Sequence, residues 1–194
     1  MGQEPGKPWR IYIVNASGGI PQEVKPGDSF DQGVPSWSAD GRSLVFGELR
    51  NRKPDAEMVI RVLDLGTGNE TVLPGSKGKW SARWSPDGNT ILAQTTDFKE
   101  LDLFDCRSQT WRSLARAVAG DAEWSADGKF VHFMAITERG NALFRVGIED
   151  GKVEELARQP ENEYSWSGVA PDGSPLTLRA VRIEEIYALE LKLP

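Results

Sequence analysis

The sequence is poor in the residues from which most catalytic and metal centres are built: 194 residues hold one histidine, His132, and one cysteine, Cys106. A His/Cys zinc cluster is therefore excluded, and no internal disulfide can form. A lone cysteine leaves the compartment open between periplasm and cytoplasm, because many periplasmic proteins also lack disulfides. No apolar run approaches the roughly 18 residues that cross a bilayer as a helix. The longest strong run, Phe130 to Ile136, contains His132. The opening Met1-Gly2-Gln3-Glu4-Pro5-Gly6-Lys7-Pro8 has no apolar stretch, so no signal peptide is expected. Catalytic motifs are missing too. There is no Gly-x-Ser-x-Gly nucleophile elbow, and every Gly-Lys pair is followed by Pro, Trp, Phe or Val rather than Ser or Thr, so no phosphate loop exists. A net charge of -6 and a pI near 5.0 argue against a nucleic-acid or anionic-membrane surface over the whole molecule.

What is present is punctuation. Gly 20 and Pro 12 fall in short clusters, which implies many short elements joined by turns. Four segments align: Trp37-Ser38-Ala39-Asp40-Gly41, Trp84-Ser85-Pro86-Asp87-Gly88, Trp124-Ser125-Ala126-Asp127-Gly128, and Trp166-Ser167 followed, after Gly168 to Ala170, by Pro171-Asp172-Gly173. Their tryptophans are 47, 40 and 42 residues apart. An apolar run follows each Asp-Gly, as in Leu44-Val45-Phe46 and Ile91-Leu92-Ala93. A second set of strand-like segments interleaves: Ile11-Tyr12-Ile13-Val14, Val59 to Asp64, Leu101 to Asp105, Ala142 to Val146 and Ile186 to Glu190. Nowhere does a capped apolar pattern of period 3.6 last three turns. Each repeat thus reads strand, Asp-Gly hairpin, strand, loop, strand, turn, strand. Four antiparallel strands per 40 to 47 residues is a propeller blade, in an all-β chain.

The marker residues have physical roles. Gly accepts positive φ in the tight turn, and Asp bonds nearby backbone amides. One Trp per blade is expected to fill the wedge between neighbouring sheets. The Asp40, Asp87, Asp127 and Asp172 series is read as turn chemistry rather than a calcium site, and no metal or cofactor is expected. His132 is read as a strand residue rather than a catalytic base.

These markers, with Ile11-Tyr12-Ile13-Val14-Asn15-Ala16-Ser17-Gly18-Gly19, resemble the PD40 (WD40-like) repeats of TolB-type β-propellers over nearly the whole chain. Ala39 and Ala126, where Pro is commoner, and the stretched fourth marker depart from that pattern. The resemblance implies a ring of blades used as a binding module, as the substrate-gating domain of a peptidase, or as an accessory domain of a kinase or transcriptional regulator.

The blades are expected at about 34–73, 80–114, 121–156 and 163–191, preceded by a half-blade at 9–24, about four and a half per chain. A propeller must close, because an open ring leaves sheet edges and apolar faces exposed. Three closures fit: the chain alone as four blades with an N-terminal strand completing the last, a fragment of a larger ring, or two copies each donating its half-blade to the other, which would make the protein a homodimer. Candidate binding residues come from two places. The loops 48–58, 97–100, 137–141 and 182–184 should gather at one mouth of the ring, the first three contributing Arg50, Arg52, Lys53, Lys99 and Arg139. Arg83 and Glu123, each just before a marker Trp, belong to the innermost strands. The functional expectation is a non-catalytic binding or scaffold module for a protein or peptide partner, not an enzyme, with no nucleic-acid partner and no membrane insertion. The alternative is the accessory propeller of a larger peptidase, kinase or transcriptional regulator, or a propeller enzyme.

Overall fold

The computed structural model describes residues 1–3, 6–48, 58–117, 119–158, 166–170, 172 and 174–177. These form sixteen strands, with no helix among the described residues. Three blades are complete, each a four-stranded antiparallel sheet with its strands in sequence order. The first holds β3 (Gln32–Trp37), β4 (Ser43–Glu48), β5 (Ile60–Asp64) and β6 (Glu70–Val72). The second holds β7 (Lys79–Trp84), β8 (Thr90–Thr95), β9 (Glu100–Asp105) and β10 (Thr110–Arg116). The third holds β11 (Ala119–Trp124), β12 (Phe130–Thr137), β13 (Gly140–Gly147) and β14 (Val153–Arg158). Two-stranded units flank them: β1 (Tyr12–Ile13) with β2 (Gln22–Glu23), and β15 (Trp166–Val169) with β16 (Pro175–Thr177). This is an all-β propeller architecture. The strand expected at Ile186 to Glu190 and the loop at 182–184 lie outside the described residues.

The marker builds each hairpin through its serine as well as its Asp-Gly. Gly41, Gly88 and Gly128 take φ of 68°, 75° and 70°, a region open to glycine because it lacks a Cβ. The Asp87 carboxylate accepts from Ser85 Oγ at 2.6 Å and from the Asn89 amide at 3.0 Å. Ser85 Oγ in turn accepts from the Thr90 amide at 3.0 Å, where β8 begins. The same three bonds recur at Ser38–Asp40 and at Ser125–Asp127. One hydroxyl thus joins the end of the innermost strand to the start of the next.

Apolar side chains fill the wedges between blades. Val45 and Ile60 of the first blade meet Ala82, Ile91, Ala93 and Phe104 of the second. Leu92, Leu101 and Leu103 of the second meet Val131, Phe133 and Val146 of the third. Ile11, beside β1–β2, packs on Leu44, Phe46 and Leu63 of the first blade.

The marker tryptophans do not share one environment, which corrects the expectation that each fills a wedge. Trp124 is 6% exposed and lies in the wedge between the second and third blades, while Trp84 is half-buried against the first blade. Trp37 is 49% exposed. Trp84 and Trp124 pack back on the preceding blade. Before Trp37 the described residues supply only the β1–β2 pair, of the kind that ends a blade.

Each innermost strand also carries a bulge three residues before its Trp. Val34, Ser81 and Asp121 take φ of 54°, 50° and 49°, and strand register shifts across each of them. Left-handed backbone at a non-glycine costs about 1–2 kcal/mol. It persists because pairing on both sides fixes the strand.

Candidate functional site at the inner strands and ring mouth

The innermost strands β3, β7 and β11 lie side by side along the ring axis, with β15 next to β11. In each blade the residue before the Trp points to the face opposite that Trp, as strand alternation requires. Ser36, Arg83 and Glu123 occupy this position and stitch three blades together. Ser36 Oγ accepts from the Trp84 amide at 3.0 Å. Arg83 donates from Nη1 to the Val34 carbonyl at 3.3 Å and from Nε to Glu123 Oε2 at 3.1 Å. Trp124 Nε1 donates to the Arg83 carbonyl at 3.1 Å. Of the candidate binding residues, then, the structure brings Arg83 and Glu123 together as an ion pair that bridges two blades. Asp121 lies nearby at its bulge, its carboxyl pushed up by desolvation and partly relieved by the Arg83 charge.

The mouth residues are separate. Lys99 sits in the β8–β9 turn, exposed, with Nζ 3.9 Å from Asp97. The Asp97 carboxyl is held low, chiefly by the Thr95 hydroxyl and then by the Lys99 amide. Arg139 sits in the equivalent β12–β13 turn of the next blade, where its carbonyl accepts from Arg158 Nη1 at 3.1 Å. Equivalent hairpins place both at one end of the ring. Arg50, Arg52 and Lys53 lie outside the described residues.

Two buried polar clusters near this end were not singled out from the sequence. Arg61 donates to Glu48 at 3.0 Å and to Glu70 at 2.7 Å, and lies 4.5 Å over the Phe30 ring. Burial opposes its charge, but the two carboxylates outweigh this and hold the guanidinium above its usual range. Lys79 pairs with the buried Asp102 and lies 4.8 Å from the Trp111 ring centre. The signal for both was a charged residue inside an apolar strand. No cluster of three or more His, Cys, Asp or Glu suited to a metal occurs among the described residues.

The architecture defines a β-propeller of the TolB type. A TolB from Acinetobacter baumannii superposes with a TM-score of 0.68 at 22% identity, covering 84% of this chain and 41% of that one. No known family profile matches the chain. Among curated proteins it is similar to "Uncharacterized peptidase YuxL" of Bacillus subtilis, 27% identical over 171 residues, or 88% of this chain and 24% of that protein. It is also similar to dipeptidyl-peptidase 5 of Aspergillus fumigatus, 23% identical over 167 residues, 80% of this chain and 22% of that protein. The chain therefore spans under a quarter of the length of these relatives.

These relatives overturn two expectations: that the chain is a non-catalytic binding or scaffold module, and that it is no enzyme. Both proteins are named peptidases. The expectations rested on missing catalytic motifs. A segment matching under a quarter of a peptidase can lack those motifs while the whole carries them.

Proposed function

We propose that this chain is propeller sequence of a peptidase, forming part of the ring that gates access to a separate catalytic domain. The observation that carries this is the similarity to two named peptidases, which runs over 88% and 80% of the chain. The fold and the stitched inner strands are compatible with it: Arg83, Glu123 and Ser36 hold neighbouring blades at fixed spacing around the axis. A ring braced in this way filters by size and shape, and its mouth side chains meet a passing peptide. The coding sequence on either side of the chain tests the proposal. An in-frame hydrolase domain with a Gly-x-Ser-x-Gly elbow is expected. Flanks encoding a kinase or a winged-helix domain, or no catalytic domain at all, would overturn it.

A second reading concerns assembly, and the exposure of Trp37 favours it. The β1–β2 pair has the outer strands of a blade, and the β15–β16 pair has the inner ones. Where the 194-residue chain stands alone, two copies complete each other's blades and the ring closes as a homodimer. Light scattering should then give twice the single-chain mass of 21.4 kDa; the single-chain value would sink this reading.

A further inference from the structure

Asp-Gly pairs are chemically fragile, because glycine puts no side chain beside the amide that can attack the carboxyl. The sequence holds five, beginning at Asp40, Asp87, Asp127, Asp150 and Asp172, and no Asn-Gly pair. The first four lie wholly within the described residues. In the reaction the glycine nitrogen attacks the side-chain carboxyl carbon. A C–N bond forms, a C–O bond of the carboxyl breaks, and that oxygen leaves as water with the amide proton. Water then opens the imide ring. Opening at the α-carbonyl leaves an isoaspartate, whose backbone runs through the side chain and is one carbon longer.

In the three marker hairpins one serine holds both reacting groups. Its hydroxyl donates to the carboxylate, at 2.6 Å from Ser38 and Ser85 and 2.7 Å from Ser125. Its carbonyl accepts the attacking amide, at 2.9 Å from Gly41, 3.0 Å from Gly88 and 2.9 Å from Gly128. The amide two residues beyond each Asp fixes the same carboxylate. Such bonds favour the ionised form, whereas a carboxyl must be neutral to lose water. The serine hydroxyl first, and that amide second, hold the three carboxyls below their usual 3.8. Gly88 and Gly128 are also half-buried, beside Ala39 and Pro86 of the preceding blade.

Asp150-Gly151, in the β13–β14 turn, has no such serine. The Asp150 carboxylate accepts from the Lys152 amide at 3.0 Å, and no side chain donates to it among the described residues. The Gly151 amide donates to the Gly147 carbonyl at 3.0 Å, so it is tied as the marker glycines are. The four pairs therefore differ at the carboxyl rather than at the nitrogen. Both Asp150 and Gly151 are exposed.

We propose that Asp150-Gly151 is a site of spontaneous isoaspartate formation, and that the marker serine guards the other three pairs against the same reaction. Bonds from Gly151 to Gly147 and from Gly147 to Lys152 close this turn. An extra backbone carbon there unpairs the start of β14, where Glu154 holds Arg145. The inference holds whether or not the chain belongs to a peptidase.

Trypsin places the four aspartates on separate peptides, so each can be followed alone. The folded 194-residue chain is aged for several weeks at mildly acidic pH, digested, and its isoaspartate counted by electron-transfer fragmentation. Asp150 should convert about fivefold faster or more than Asp40, Asp87 or Asp127, the factor that corresponds to one hydrogen bond. In guanidinium the four should convert at closely similar rates. Ser85→Ala, shown to be folded by circular dichroism, should raise conversion at Asp87 by about the same factor and leave Asp127 unchanged. Three results would overturn the proposal: Asp150 converting no faster than the marker aspartates, the same ranking persisting in guanidinium, or a folded Ser85→Ala without the rise at Asp87. The first two stand even if the variant does not fold.

Discussion

Ser85 shows how much one hydroxyl contributes at the scale of a residue. It is 4% exposed, donates to Asp87 and accepts from the first amide of β8. Ser85→Ala removes both bonds and leaves the partly buried Thr90 amide without this acceptor. A loss of about 1–2 kcal/mol in urea unfolding is expected. The turn aspartates behave as a set. Asp40, Asp87 and Asp127 are held below the ordinary carboxylate value of 3.8, chiefly by the serine hydroxyl two residues earlier, and Asp172 by Ser174. Their folded-state pKa values lie below the unfolded one, so their contribution is complete above about pH 4 and is lost as the pH falls through the folded values. Thermal midpoints measured from pH 5 downward should fall below pH 4, and Asp87→Asn should flatten that fall. Val34 offers an opposite case. With φ of 54° it is strained where glycine would not be, so Val34→Gly should raise stability by up to about 1 kcal/mol despite the added chain freedom.

Among elements, the tryptophans separate what a repeat encodes from what its neighbour supplies. Trp124 and Trp37 hold the same place in the same motif, yet one is buried between sheets and the other half exposed. Trp124→Ala should cost about 3–5 kcal/mol, whereas Trp37→Ala should cost about 1 kcal/mol in the same chain, read by denaturant midpoint. Supplying inner strands opposite Trp37 should bring the two values together. Strands and hairpins were legible in the sequence because period-two alternation and Asp-Gly are local signals. The bulges were not: Val34, Ser81 and Asp121 share no chemistry, and only their common distance from the Trp and the register shift reveal them. The site was half legible. Arg83 and Glu123 could each be assigned to an innermost strand, but their pairing depends on which strands lie side by side. The facing of His132 and Arg145 escaped for the same reason, since the two meet only once β12 and β13 are in register.

For the whole molecule, the decisive fact is one of proportion. The chain matches its peptidase relatives over most of its own length and under a quarter of theirs. A motif search confined to these residues could name the fold and stay silent on activity, because the repeat specifies wedges and turns. That propeller sequence of a peptidase is what these blades represent is the central claim. It is tested most directly by purifying the native polypeptide that carries this chain and assaying it on a panel of chromogenic peptide substrates, before and after treatment with a serine-directed fluorophosphonate. Hydrolysis that the reagent abolishes is the predicted result. A native polypeptide that cleaves none of the peptides and takes up no label would contradict it.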